Sequence, residues 1–169
     1  ANPTFLKEEY LGKKRDIDVA FIGNIYEVPR DVVKHFDTNR GYKFHYYGQI
    51  ESTRNHPWKP YWRGTIRYED IPKIYSRAKI VIEDVAPFNM GTVNLRVFEA
   101  VSCGALVISN SELGIREIFG DTVITYKNKE DLMSKIEYFI SHESERAEIA
   151  KKAWLLVKER HTFEHRARE

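Results

Sequence analysis

Short apolar runs alternate with amphipathic stretches along the whole chain, the pattern of a parallel sheet wrapped by helices. Strands are expected at residues 18–23, 43–47, 65–67, 79–83, 106–109 and 122–126. Pro29 opens a helix that carries Val32, Val33 and Phe36 on one face and ends near Gly41. Ile71, Ile74 and Tyr75 recur at helical spacing, which predicts a helix over residues 68–78. Leu95, Val97, Phe98, Ala100 and Val101 mark another helix, which stops at Gly104 and runs directly into a buried strand. A short helix follows around residues 115–119. Asn128 caps a helix to about residue 141, and a last helix spans about residues 144–160. There is no repeat, low-complexity segment or internal linker. The pattern predicts an α/β chain: a single doubly wound (Rossmann-like) domain with a mostly parallel six-stranded sheet.

Composition narrows the partners. The 169 residues suffice for one domain with its own core, and 42% hydrophobic with 31% charged residues describe a water-soluble globular chain. The net charge of +2 argues against a nucleic-acid partner held by bulk charge. The single Cys103, set among apolar residues, predicts a buried thiol and no internal disulfide. No apolar run approaches the ~18 residues of a membrane span, and no secretory signal pattern opens the sequence. A cytoplasmic chain is expected. It begins with Ala1 and ends on a charged helix tail, which suggests a piece of a longer protein.

In a doubly wound sheet the ligand lies at the carboxyl ends of the strands. Those ends are Gly23-Asn24, Gly48, residues 64–68, residues 84–91 and Ser109-Asn110. Residues 87–92 end in small and polar side chains just before the helix marked by Leu95. A helix start offers free N–H groups and a positive dipole end, which suit phosphate. Glu99 lies about two turns in, an acid in apolar company that needs a partner or a ligand hydroxyl. A phosphate site at the helix start and a carboxylate further in fit the two ends of a nucleotide diphosphate. Arg30 and Arg96, each at a helix start, can reach such a diphosphate. Asn94 serves equally well as a cap or a ligand contact. Tyr68 is either a base-stacking ring or an ordinary aromatic. The six histidines form no metal pattern, and Asp16-Ile17-Asp18 opens a strand, so it falls at the wrong edge of the sheet for a metal site. No metal or cofactor is expected. The aromatic, Pro-containing loop over residues 49–62 is expected to be mobile or shaped by a partner domain.

These residues resemble the C-terminal, donor-binding domain of GT-B fold glycosyltransferases, specifically the group 1 branch that includes CgeB-like proteins. The resemblance is carried by Phe21-Ile22-Gly23 with Arg30, by Gly64 with Tyr68-Glu69-Asp70-Ile71-Pro72 and Tyr75, and by Asn94-x-Arg96-x-Phe98-Glu99-Ala100 with Gly104. Glu130-Asp131-Leu132 and His161-Thr162-Phe163-x-His165-Arg166 complete it. It implies a bacterial-type, metal-independent glycosyltransferase whose residues 1–169 bind a nucleotide-diphospho-sugar donor. Glu99 would hold the donor ribose, and Met90, Gly91, Thr92 and Asn94 would cradle the diphosphate. Arg30 and Arg96 would offset its charge, while Gly23, Asn24 and Tyr68 would border the donor. The acceptor half would lie in an N-terminal domain absent from this sequence, leaving this domain inactive alone. One departure stands out: many retaining members carry a first glutamate eight positions before the second, which Glu99 matches, and this chain has Gly91 there. A non-catalytic nucleotide-binding or regulatory module of the same fold is the alternative.

Overall fold

The computed structural model describes residues 1–25, 30–50, 56–86 and 91–167. Five strands form one sheet: β1 (Ile17–Ile22), β2 (Phe44–Tyr47), β3 (Ala78–Glu83), β4 (Leu106–Ser109) and β5 (Ile124–Thr125). Their order is β2-β1-β3-β4-β5, and every pairing is parallel. The helices are α1 (Asp31–His35), α2 (Ile71–Tyr75), α3 (Leu95–Ser102), α4 (Glu112–Phe119), α5 (Lys129–Ser141), α6 (Glu143–Arg160) and α7 (Phe163–Arg166).

Apolar side chains fill both faces of the sheet. Ala20, Ile22 and Val81 pack with Tyr75, Val97, Val101, Ile115 and Val157, under α2, α3, α4 and the end of α6. Val19, Phe21, Ile80 and Ile82 pack with Val32, Phe44, Leu132 and Ile136, under α1 and α5. Alternate residues of one strand thus serve opposite layers. The turn from α3 into β4 is closed by Gly104 in the left-handed region, with the Ala105 N–H donating to the Ala100 carbonyl and the Gly104 N–H to the Val101 carbonyl. These two bonds make a Schellman cap, which only a glycine enters without strain. Asn128 caps α5 as expected, its side chain accepting the Asp131 N–H at 2.9 Å.

Among the described residues the expected six strands are five. Residues 65–67 form no strand. The chain touches the β2 edge through a Tyr46–Trp62 bridge, and the Gly48 N–H donates to the Gly64 carbonyl. Gly64 then turns with a φ of 95°, and the backbone leaves the edge before a ladder can form. The region predicted as one helix from residue 68 splits into a 3-10 turn, Tyr68–Asp70, and α2.

The loop ending at Trp62 sends its central aromatic residue inward. Residues 51–55 lie outside the described residues, but Trp58 is fully buried in this chain's own core. Its ring sits 5.3 Å from Phe21, 5.0 Å from Phe44 and 5.7 Å from Tyr46. The partner of Trp58 is therefore this sheet. At the opposite, amino edge of the sheet, Asp16 takes a forked contact from Arg77 at 2.8 and 2.6 Å, and Asp18 pairs with Lys79 at 2.7 Å. Among the described residues no helix is long and apolar enough to cross a membrane.

Candidate functional site

The carboxyl edge gathers the start of α3 and the ends of β1, β3 and β4. Asn94 is the N-cap of α3: its side-chain oxygen accepts the Arg96 N–H at 3.2 Å. Of its two candidate roles the cap is therefore occupied. Gly91, Thr92 and Asn94 are all exposed at this edge. Gly91 turns with a φ of 96°, and a Cβ on Gly114 would lie 2.5 Å from the Gly91 carbonyl oxygen. The Ser111 hydroxyl donates to the Thr92 carbonyl at 2.6 Å. Together these contacts fasten the approach to α3 onto the start of α4. Met90 lies outside the described residues.

Glu99 is 2% exposed, held beneath Arg96 one turn earlier, whose Nε lies 3.7 Å from Glu99 Oε2. The Tyr68 hydroxyl donates to the same carboxylate. Burial pushes the Glu99 carboxyl up, while Arg96 and Tyr68 pull it back. Tyr68 has its ring 5.1 Å from Phe5 and stays partly exposed. Three buried polar atoms around this pair have no hydrogen-bond partner among the described residues: Glu99 Oε2, Arg96 Nη1 and the Tyr75 hydroxyl. Buried polar groups are almost always satisfied, so a cluster of three marks a place where water or ligand completes the bonding.

The end of β3 delivers two further acids that the sequence reading passed over. Glu83 and Asp84 are both buried, and successive strand residues send their side chains to opposite faces. Burial pushes Glu83 up to about 8, against the opposing pull of Arg96 and Arg30. Burial likewise raises Asp84 to about 6, with Arg30 opposing. The Arg30 guanidinium donates to the Asp84 carbonyl at 2.8 Å and lies 3.7 Å from Asp84 Oδ2. Asn110, at the end of β4, ties the layer together. It donates to Asp84 Oδ1 at 2.8 Å and accepts the Val85 N–H at 2.8 Å. Two consecutive acids closing the apolar run of residues 80–82 were the available sequence signal. Tyr75 gave none, because its ring belongs to the apolar face of α2.

Gly23 and Asn24 stand one strand over. A Cβ on Gly48 would lie 2.1 Å from the Gly23 carbonyl oxygen, and Asn24 Oδ1 accepts the Gln49 N–H at 2.9 Å. Their visible work is to extend the β1–β2 pairing past the strand ends, where Ile25 bridges Ile50. The structure thus brings Arg96, Glu99 and Tyr68 into direct contact. It sets Arg30 on the neighbouring Asp84, and engages Gly23, Asn24 and Asn94 in backbone contacts.

A family model described as glycosyl transferase-like matches residues 27–169. No curated protein sequence matches the chain. Among solved structures, T4 phage β-glucosyltransferase in complex with UDP-glucose superposes with a TM-score of 0.72 at 17% identity, over 87% of this chain and 44% of that one. Staphylococcus aureus TarM, in a structure with UDP, gives 0.66 at 18% identity, over 90% of this chain and 34% of that one. The C-terminal domain of a group 1 glycosyl transferase (LpcC) from Francisella tularensis gives 0.63 at 16% identity, over 89% and 88%. At these identities the likeness is one of fold. The chain spans less than half the length of the T4 and TarM chains it matches.

Proposed function

Because this chain belongs to the glycosyl transferase-like family, we propose that it is the half of a glycosyltransferase that binds a nucleotide-diphospho-sugar donor. The observation that carries this is the Arg96–Glu99 pair at the start of α3, with three unsatisfied buried polar atoms around it. Glu99 Oε2 accepts hydroxyls of the donor ribose. Arg96 and the first turn of α3 face the diphosphate, whose growing charge they stabilise as it leaves the sugar. The UDP and UDP-glucose bound by the structural neighbours support a ligand of this class. The acceptor and the remaining chemistry belong to a second domain, so the 169-residue chain binds donor without transferring sugar.

We assign the diphosphate's charge to arginine and helix dipole, not to a metal. The carboxylates near the site are poor metal ligands: Glu83 is buried and holds a proton at neutrality, Asp84 is paired with Arg30, and Glu99 is paired with Arg96. A single buried, unpaired cysteine makes no demand for an oxidising compartment, in keeping with a cytoplasmic enzyme. Titration calorimetry with UDP, ADP and GDP tests the proposal. Binding of at least one, with the bare nucleoside weaker, is the expected result. No heat with any of them at millimolar ligand overturns the proposal.

A further inference from the structure

At the amino edge of the sheet, the end opposite the donor contacts, the chain encloses a hollow of about 260 Å³. It lies between residues 11–15, the turn at Gly104 and the first two turns of α6. Five cations from three separate stretches of chain line it: Lys13, Lys14, Arg15, Lys79 and Arg146. The one carboxylate in its wall, Glu143, has a side chain that is 87% exposed. The whole chain carries a net charge of only +2, so this grouping does not reflect a basic surface at large. Part of the charge has a structural account. Arg15 donates to the carbonyls of Tyr10, Tyr75, Ala78 and Cys103 at 2.7–3.1 Å, fastening the segment before β1 to the turns that enter β3 and β4. Arg146 Nη1 donates to the Phe139 and Ile140 carbonyls in the last turn of α5. Lys79 pairs with Asp18 at 2.7 Å. The remaining charge has no such account. Lys14 has no hydrogen-bond or ion-pair partner among the described residues, and Lys13 stands over the Tyr10 ring at 5.4 Å. Arg146 is 4% exposed, yet its Nη2 has only the Glu143 carboxylate near it, at 3.7 Å, too long for a hydrogen bond. Arg15 is pushed down to about 10, chiefly by burial and further by the Arg146 charge. Like charges gathered around one hollow, one of them on a buried guanidinium, call for an anion to offset them.

We infer that this hollow is a second anion site, separate from the donor site, and that it takes a phosphate-class group. Lys13 and Lys14 meet the phosphate oxygens from the solvent side, and Arg146 Nη2 meets them from the buried side. Arg15 and Lys79 add positive charge without leaving their present partners. Pockets for drug-sized ligands run to ~300–1,000 Å³, so the smaller hollow suits a phosphate or diphosphate group and not a whole nucleotide. Such a group arrives either as a free anion or on a lipid headgroup, and both present the same oxygens.

Titration of the 169-residue chain with sodium pyrophosphate, followed by amide NMR, tests this, with sodium chloride at matched ionic strength as the reference. The Gly12, Gly104 and Ala147 signals should shift and saturate with pyrophosphate and not with chloride. The Thr92 and Asn94 signals report the donor edge separately. Lys13→Glu combined with Lys14→Glu, both at exposed positions, should weaken the affinity read at the hollow by about tenfold or more. Should that double variant not fold, Lys14→Gln alone should weaken it by about threefold. Sedimentation with phosphatidate vesicles separates the two carriers. A chain that stays in the supernatant assigns the site to a free anion, and co-sedimentation that the lysine reversal abolishes assigns it to a headgroup. Shifts at the hollow that never saturate, that chloride reproduces, or that the lysine variants leave intact overturn the inference. Failure of UDP to bind removes the donor-site proposal and leaves this one standing.

Discussion

Arg96 Nε lies 3.7 Å from Oε2 of Glu99, one turn further along α3, and the pair spans the boundary between solvent and core. The arginine is partly exposed while the carboxylate is buried. A pair placed so serves two ends of one ligand: the arginine meets charge arriving from solvent, and the carboxylate meets hydroxyls that reach inward.

A charge-assisted arginine–phosphate contact is worth roughly 1.5–3 kcal/mol. Arg96→Ala is therefore expected to weaken nucleoside diphosphate binding by about tenfold to a hundredfold, and the bare nucleoside far less. Glu99→Gln should weaken both ligands alike, through the ribose. Calorimetry on both variants with both ligands gives the four affinities. Equal losses for Arg96→Ala with the two ligands would show that Arg96 supports the fold and not the phosphate.

Chelator should leave UDP affinity unchanged, and so should added manganese, because the two arginines and the helix start supply the compensating charge. A loss of binding in EDTA that manganese restores would contradict that assignment.

Stability should decline as pH rises from about 6.5 to about 8.5. The folded-state values of about 8 for Glu83 and about 6 for Asp84 lie above the ordinary values of 4.5 and 3.8. In that window the folded chain holds protons that the unfolded chain has released, so raising pH favours unfolding. Asp16, which Arg77 holds well below the usual carboxylate range, acts in the opposite sense only in acid, and His45 and His56, both lowered by burial, do so below about pH 6.5, so all three lie outside the window. Melting temperature measured across the window should fall, and Glu83→Gln should flatten that fall. A melting temperature that climbs from pH 6.5 to pH 8.5 would refute the burial argument.

Two glycines with left-handed backbone separate strain from collision. Nothing lies within 4 Å of a Cβ built on Gly64, so Gly64→Ala should cost only the backbone strain, about 1–2 kcal/mol. A Cβ on Gly48 meets the Gly23 carbonyl at 2.1 Å, so Gly48→Ala must push β1 and β2 apart at their carboxyl ends and should cost more. Urea midpoints order the two, and equal losses would mean that the strand ends yield freely.

Trp58→Ala should cost roughly 3–5 kcal/mol, the range for a large buried aromatic. Chemical denaturation measures it. A cost below about 1 kcal/mol would return this segment to the role first read from its sequence, that of a surface awaiting another domain.

The sequence by itself determined the parallel α/β architecture, because period-two and period-3.6 apolar patterns reflect which faces are buried. It located the caps at Gly104 and Asn128, since these depend on local backbone chemistry, and left Asn94 open between cap and ligand contact. It also singled out Glu99, because an acid in an apolar helix is anomalous at short range. Tertiary structure decided the rest. Whether residues 65–67 became a strand depended on a turn at Gly64 and on space beside β2. Whether Trp58 faced another domain depended on the gap left among Phe21, Phe44 and Tyr46. Glu83 and Tyr75 join the site only because β3, α2 and α3 converge there. A carboxyl's charge state is set by burial and by cations distant in sequence, which no local pattern encodes.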